Sequence, residues 1–166
     1  MKNKSADSAP PKPHTFRNAI FAFTCSAVVV GAIAYFVNLN MPDISVKVAA
    51  MQTGISATYP SYTPRDYYLA SVTSDDEKRI VLTFAGPDDN DFVLYEELSS
   101  WDTTALLNNY VKKNYSSDFV TMREQGITIY YDNETAAWIN GGILYRYEAH
   151  GKNLTKDQIR NIVVSL

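Results

Sequence analysis

Two patterns of hydrophobic and polar positions divide the chain. From Ala19 to Val37 it reads AIFAFTCSAVVVGAIAYFV, without a charged residue. As a helix these 19 residues are about 28 Å long, close to the thickness of a bilayer's hydrocarbon core. A soluble core helix carries a polar stripe, and this run has none. Its aliphatic hydroxyls, Thr24 and Ser26, can bond back to the helix's own carbonyls, and Asn38, Asn40 and Pro42 end it.

Further on, the period shortens to two. Tyr67–Thr73 is a strand candidate, followed by an acidic turn at Ser74–Glu77. Ile80, Leu82 and Phe84 alternate with Val81 and Thr83, and Phe92, Leu94 and Leu98 resume the pattern after the turn cluster Gly86-Pro87-Asp88-Asp89-Asn90. Phe119–Arg123 reads as a strand closed by Gln125-Gly126. Ile127–Tyr131 and Thr135–Ile139 form a hairpin about Asp132-Asn133. Asn140-Gly141 marks a further hairpin, after which Ile143, Tyr145, Tyr147 and Ala149 share one strand face.

Helical signals stand between and around these strands. Ile44–Gly54 is compatible with a short helix closed by Gly54, although its β-branched residues leave a strand open. Pro60 and Pro64 make YPSYTPRDYYL, residues 59–69, extended chain. Asp102 caps a helix through Tyr110 that puts Leu106, Leu107, Tyr110 and Val111 on one face. Thr155-x-x-Gln158 is a capping box that opens a last helix, with Ile159, Ile162, Val163 and Leu166 turned inward. The expected order is helix, three strands, helix, four strands, helix. Short connections imply antiparallel pairing. The fold class expected is α+β: a single transmembrane helix, then an antiparallel sheet of six to seven strands packed with two to three helices gathered on one face.

Charge gives the apolar run a direction. Residues 1–18 hold Lys2, Lys4, Lys12 and Arg17 against Asp7, a charge of +3, so the remaining residues of this −3 chain carry −6. The positive-inside bias therefore puts the N-terminus in the cytoplasm and the acidic part outside. The expected organisation is a disordered cytoplasmic tail over 1–15, rich in Pro10, Pro11 and Pro13, a signal anchor over 16–40, and an extracytoplasmic domain over 44–166. Ala19, Val28 and Val37 mark the start, middle and end of the span. A cleaved signal peptide is the competing reading, since Ala32-Ile33-Ala34 offers small residues at a cleavage site. The run continues past that site and is long for a signal core, which favours the anchor and a single-pass protein of the cell membrane.

Candidate chemistry is sparse. One cysteine, Cys25, excludes a disulfide framework and a thiolate metal cluster. The acidic balance speaks against nucleic acid as a partner. Of the two histidines, His14 lies in the tail and His150 in a turn, where solvation rather than catalysis is expected. Glu96 and Glu97 are strand neighbours, point to opposite faces and cannot act as a carboxylate pair. Asp88, Asp89 and Asp91 lack the spacing and the distant Glu of a calcium loop. No catalytic residue, metal, cofactor or small-molecule substrate is expected. Aromatics make up 13% of the chain, with 12 Tyr, so they are the remaining candidates for recognition. Tyr59, Tyr62, Trp138, Tyr145 and Tyr147 either pack a core or line a groove for a peptide, glycan or lipid.

The segments VKVAAMQTGISATYPSYTPRDYYL, RIVLTF and ITIYYDNETAAWINGGILYRYEAHGKNLTKDQIRNIVVSL carry a resemblance that covers about 44–166. The region resembles a bacterial extracytoplasmic domain of unknown function, found at the C-terminus of membrane-anchored anti-sigma-factor-like and sporulation-associated proteins, with Saccharibacteria-type versions nearest. Wider relatives are similar to lipoprotein-carrier and sigma-regulator sensor domains, in which a curved antiparallel sheet wraps helices over an apolar cavity. The resemblance implies no catalytic residues. The cytoplasmic tail is too short for a helical sigma-binding domain, so this chain departs from anti-sigma members there. The function expected is a non-enzymatic bacterial envelope sensor or interaction domain, tethered by residues 19–37, whose partner is an envelope protein, peptide or lipid. The alternative is a lipid- or lipoprotein-binding carrier with an apolar groove, which a wide pocket between sheet and helices would favour. A hydrolase is the third reading and would need polar side chains converging in a cleft.

Overall fold

The alternating segments form one antiparallel sheet of seven strands. This computed structural model describes residues 35, 41, 45–51, 53–75 and 77–166. The expected tail over 1–15 and the span residues Ala19, Val28 and Val37 lie outside the described residues. Among the described residues no helix is long and apolar enough to cross a membrane. The chain divides into two units, Met1–Met41 and Pro42–Leu166; the architecture below is that of the second.

Strands β1 (Tyr68–Ser74), β2 (Ile80–Ala85) and β3 (Asp91–Leu98) make one meander. Strands β4 (Val120–Glu124), β5 (Ile127–Asp132), β6 (Thr135–Asn140) and β7 (Ile143–His150) make a second. The sheet order is β1-β2-β3-β7-β6-β5-β4, so β7 closes against β3 and welds the two meanders together. Helix α1 covers residues 45–51. Helix α2 runs over Thr103–Leu106, a π-helical turn at Leu107–Val111, and Lys112–Asn114. Helix α3 is Lys156–Ser165.

Local chemistry sets these boundaries. Gly54, at φ +74°, donates its N–H to the Ala50 carbonyl at 2.8 Å and stops the first helix. The Asp102 side chain accepts from the Ala105 N–H at 2.7 Å and starts α2. Thr155 and Gln158 make the reciprocal capping box of α3. Asn140 pairs with Ile143, so the β6–β7 turn residues are Gly141 and Gly142, one position later than the Asn-Gly signal suggests. Both have positive φ, +59° and +79°, as a two-residue hairpin of the I′ type requires. The β5–β6 turn is likewise shifted by one, to Asn133-Glu134, because Asp132 pairs with Thr135.

The register sends two sets of side chains to opposite faces. On one face Ile80, Glu96, Tyr145, Trp138 and Ile129 form a row across β2, β3, β7, β6 and β5. Leu82, Leu94, Tyr147 and Ala136 form the next. Val46 and Ala49 of α1, Ile55 from the following extended strap, and Ile159, Ile162 and Val163 of α3 cover this face. The other face buries Tyr130, Ala137 and Leu144 beneath Leu106 and Val111 of α2. The expectation of helices gathered on one face is thus corrected: α1 and α3 lie on one side and α2 on the other. The cause is local composition. Strands β6 and β7 are apolar at consecutive positions, Ala136-Ala137-Trp138-Ile139 and Ile143-Leu144-Tyr145, as strands buried on both faces are.

Candidate functional site

The five aromatics singled out in the sequence all belong to the face that carries α1 and α3. Trp138 of β6 and Tyr145 of β7 are cross-strand partners whose rings stack at 5.3 Å and 5°. Tyr147, two residues on, tilts against Phe92 at 5.6 Å. Phe92 stacks on Phe84 at 4.5 Å, and Phe84 on Tyr59 of the strap at 6.2 Å. Tyr59 and Tyr62 are half-buried against the same cluster. Trp138 and Tyr147 head the large side chains that are fully buried there. These rings pack between this sheet face and its cover.

The Tyr145 and Tyr147 phenols are held neutral. Burial pushes the Tyr147 hydroxyl up to about 12, and that hydroxyl accepts the Leu154 N–H at 3.1 Å. Burial raises Tyr145 too, with the Glu96 carboxyl adding in the same direction. Neither can serve as a base near neutral pH.

Glu96 is the residue that sequence reasoning passed over. Its side chain does point away from that of Glu97, as strand geometry demands, and it points into the core with 0% exposure. One carboxyl oxygen accepts the Thr58 N–H at 3.3 Å. The other oxygen, and the Trp138 indole Nε1, are buried with no hydrogen-bond partner among the described residues. Burial raises the carboxyl to about 8, and the Thr58 bond offsets only part of that rise. The available signal was its slot: Phe92, Leu94 and Leu98 alternate, and Glu96 takes the position between.

Across the sheet, Arg146 of β7 is sandwiched by aromatic rings. Its guanidinium lies 5.0 Å from the Tyr95 centroid and 5.6 Å from that of Tyr110, with only 13% of the side chain exposed. Glu97 and Glu148 stand off at 4.0 and 3.9 Å. Burial opposes its charge, and the Tyr110 hydroxyl and the two carboxylates more than restore it. Arg79 reaches Tyr95 from the other side, at 5.5 Å, and is itself tied to Asp75 and Glu77, each at 2.7 Å. Each cation already has carboxylates beside it, so this cluster is internally neutralised and joins β2, β3 and β7 to α2.

The remaining candidates stay apart. His150 ends β7, exposed, opposite Asp91, rather than standing in the following turn. Asp91 accepts the Gly86 N–H at 3.2 Å, and Asp88 and Asp89 belong to the 3-10 turn Pro87–Asp89. Among the described residues no three His, Cys, Asp or Glu side chains gather as a metal-ligand set. Hollows lined by described residues indent the surface. One, of about 360 Å³, is bordered by Tyr67, Asn90, Lys152 and Thr155; another, of about 530 Å³, by Asp118, Tyr131, Asp132 and Lys156. No family model matches the chain, and no curated protein or solved structure matches it either.

Proposed function

We propose that this protein is a single-pass, membrane-anchored bacterial envelope protein whose α+β unit works outside the cytoplasm as a non-enzymatic sensor or interaction domain. The observation that carries the reading is a juxtaposition. An uncharged 19-residue run with a basic leader, Ala19 to Val37, stands directly ahead of a self-contained unit that begins at Pro42. Among the described residues, the buried chemistry-bearing groups hold that unit together. Trp138, Tyr145 and Tyr147 fill a core, Arg146 is locked between rings and carboxylates, and Glu96 is sealed away from Glu97. This supports a role in binding over a role in catalysis.

The carrier alternative calls for an open apolar groove between sheet and helices. The ladder Tyr59–Phe84–Phe92–Tyr147 packs into that space, which supports the interaction reading instead. The resemblance to extracytoplasmic domains of anti-sigma-factor-like proteins agrees with a sensing role and names no ligand. Fractionation of expressing cells tests the tether. The full-length chain is expected in membranes after alkaline carbonate washing, and a chain lacking residues 1–41 in the soluble fraction. Release of the full-length chain by the wash would overturn the reading.

A further inference from the structure

The strap that joins α1 to β1, residues 55–67, is neither helix nor strand, yet it covers part of the sheet. Ile55 is buried, Tyr59 stacks on Phe84, and the Ser61 N–H bonds the Ser165 carbonyl at 3.2 Å. Between these anchors the Thr58 N–H points to Glu96, 38 residues away in sequence. That bond ties the strap to the sheet itself, whereas the Ser61 bond ties it to the end of α3.

The surroundings of Glu96 decide what it can do. Its neighbours in register are Ile80 on β2 and Tyr145 on β7, with the Trp138 indole beyond. The inward side chains of α1 are Val46 and Ala49, and those of α3 are Ile159, Ile162 and Val163. Lys47 of α1 is exposed. Tyr145 is the titratable group facing the carboxyl, and it is neutral. Among the described residues, burial and the Thr58 N–H are what act on the Glu96 carboxyl. A neutral carboxyl fits this setting. An ionised one would have a single amide donor and one bare oxygen, far less than water supplies, and a buried charge so poorly compensated is strongly unfavourable.

We propose that Glu96 is a proton-operated latch on the strap: its neutral carboxyl lets residues 55–67 close over the sheet, and loss of that proton lifts them off. The strap is the element that gives way because it has no ladder or helix of its own, whereas β3 is hydrogen-bonded on both sides. Lifting it admits water to the carboxylate and bares Phe84, an apolar surface that closure hides. The carboxyl keeps its proton up to about 8, so the latch is closed at neutral pH and opens in mildly alkaline surroundings. The latch rests on the geometry of this core and holds whether or not the chain is tethered.

Hydrogen exchange on the full-length chain in mild detergent, at about pH 6.5 and about pH 9.5, with the intrinsic base-catalysed rate divided out, tests it. Protection across residues 55–67 is expected to fall about tenfold or more at the higher pH, while β5 and β6 keep theirs. Glu96→Gln keeps the shape and an acceptor for Thr58 but cannot ionise, so its strap should stay protected at both values. An unchanged wild-type strap, an equal loss in Glu96→Gln, or a loss spread evenly over both meanders would each overturn the latch. Should Glu96→Gln fail to fold, infrared pH-difference spectra of the wild type decide. A protonated-carboxyl band that vanishes in step with strap opening supports the latch, and its absence at neutral pH overturns it.

Discussion

Trp138 offers the sharpest test of the core. Its indole is 0% exposed on β6 between Ile129 and Tyr145, and it is stacked on the Tyr145 ring. Trp138→Ala removes the largest buried side chain and leaves a cavity between two central strands and their cover. Such truncations cost about 3–5 kcal/mol, and losing the stacked pair adds about 0.5–1.5. One effect runs the other way. The buried Nε1 has no partner, so deleting it returns a desolvation cost of about 1–3 kcal/mol. The balance is a net loss centred on about 3 kcal/mol, a large share of the 5–15 typical of a whole domain. Trp138→Phe separates the two effects, because it keeps most of the ring and drops the unpaired N–H. It is expected to lose no more than about 1.5 kcal/mol. Urea unfolding of the full-length chain, followed by far-ultraviolet circular dichroism, reads both variants on one scale. A loss below about 1 kcal/mol in Trp138→Ala would refute the packing and return Trp138 to the surface, where it could serve recognition.

Three further outcomes follow from the same core. Because the folded Glu96 carboxyl is raised from 4.5 to about 8, stability should be full below about pH 4.5 and decline as pH rises to about 8. The fall is at most about 5 kcal/mol, less if the strap lifts; Glu96→Gln should flatten it in urea titrations, and a flat wild-type profile would contradict the burial. A stop codon at Asp157 strips Ile159, Ile162 and Val163 from the sheet, and at about 1.5–3 kcal/mol each the unit should lose its cooperative transition; a cooperative transition retained would show α3 to be peripheral. His150→Ala should shift stability by no more than about 0.5 kcal/mol, and a folded variant that lost a cellular phenotype would point to a site around that strand end.

Much of this architecture is visible before any coordinates. Local signals carried it: the alternation Ile80-Leu82-Phe84, the cap at Asp102, the box Thr155–Gln158 and the turn glycines lie within a few residues of what they specify. The pairing of β7 with β3 does not, because Leu94 opposite Tyr147 is a contact across 53 residues of chain that no short pattern encodes. The placement of α2 was hidden for a different reason. Ala137 and Leu144 are apolar between apolar neighbours, so period two no longer says which face is the core. For the site, residue type pointed one way and position another. A glutamate reads as solvated, yet Glu96 occupies an inward slot and the strap 38 residues upstream closes over it. The tyrosines were legible as candidates, and only the packing of Phe84 and Phe92 against Tyr59 and Tyr147 shows that these rings belong to the core.

The central claim is that the folded unit stands on the far side of the membrane from the basic leader. Cysteine accessibility tests it most directly. In a Cys25→Ser background, Asp88→Cys and Ser8→Cys each place a single thiol, one on the exposed turn between β2 and β3, the other in the leader. A membrane-impermeant maleimide should label Asp88→Cys in intact cells and Ser8→Cys only after lysis. The reverse pattern, or a mature chain that begins near Tyr35, would contradict the account.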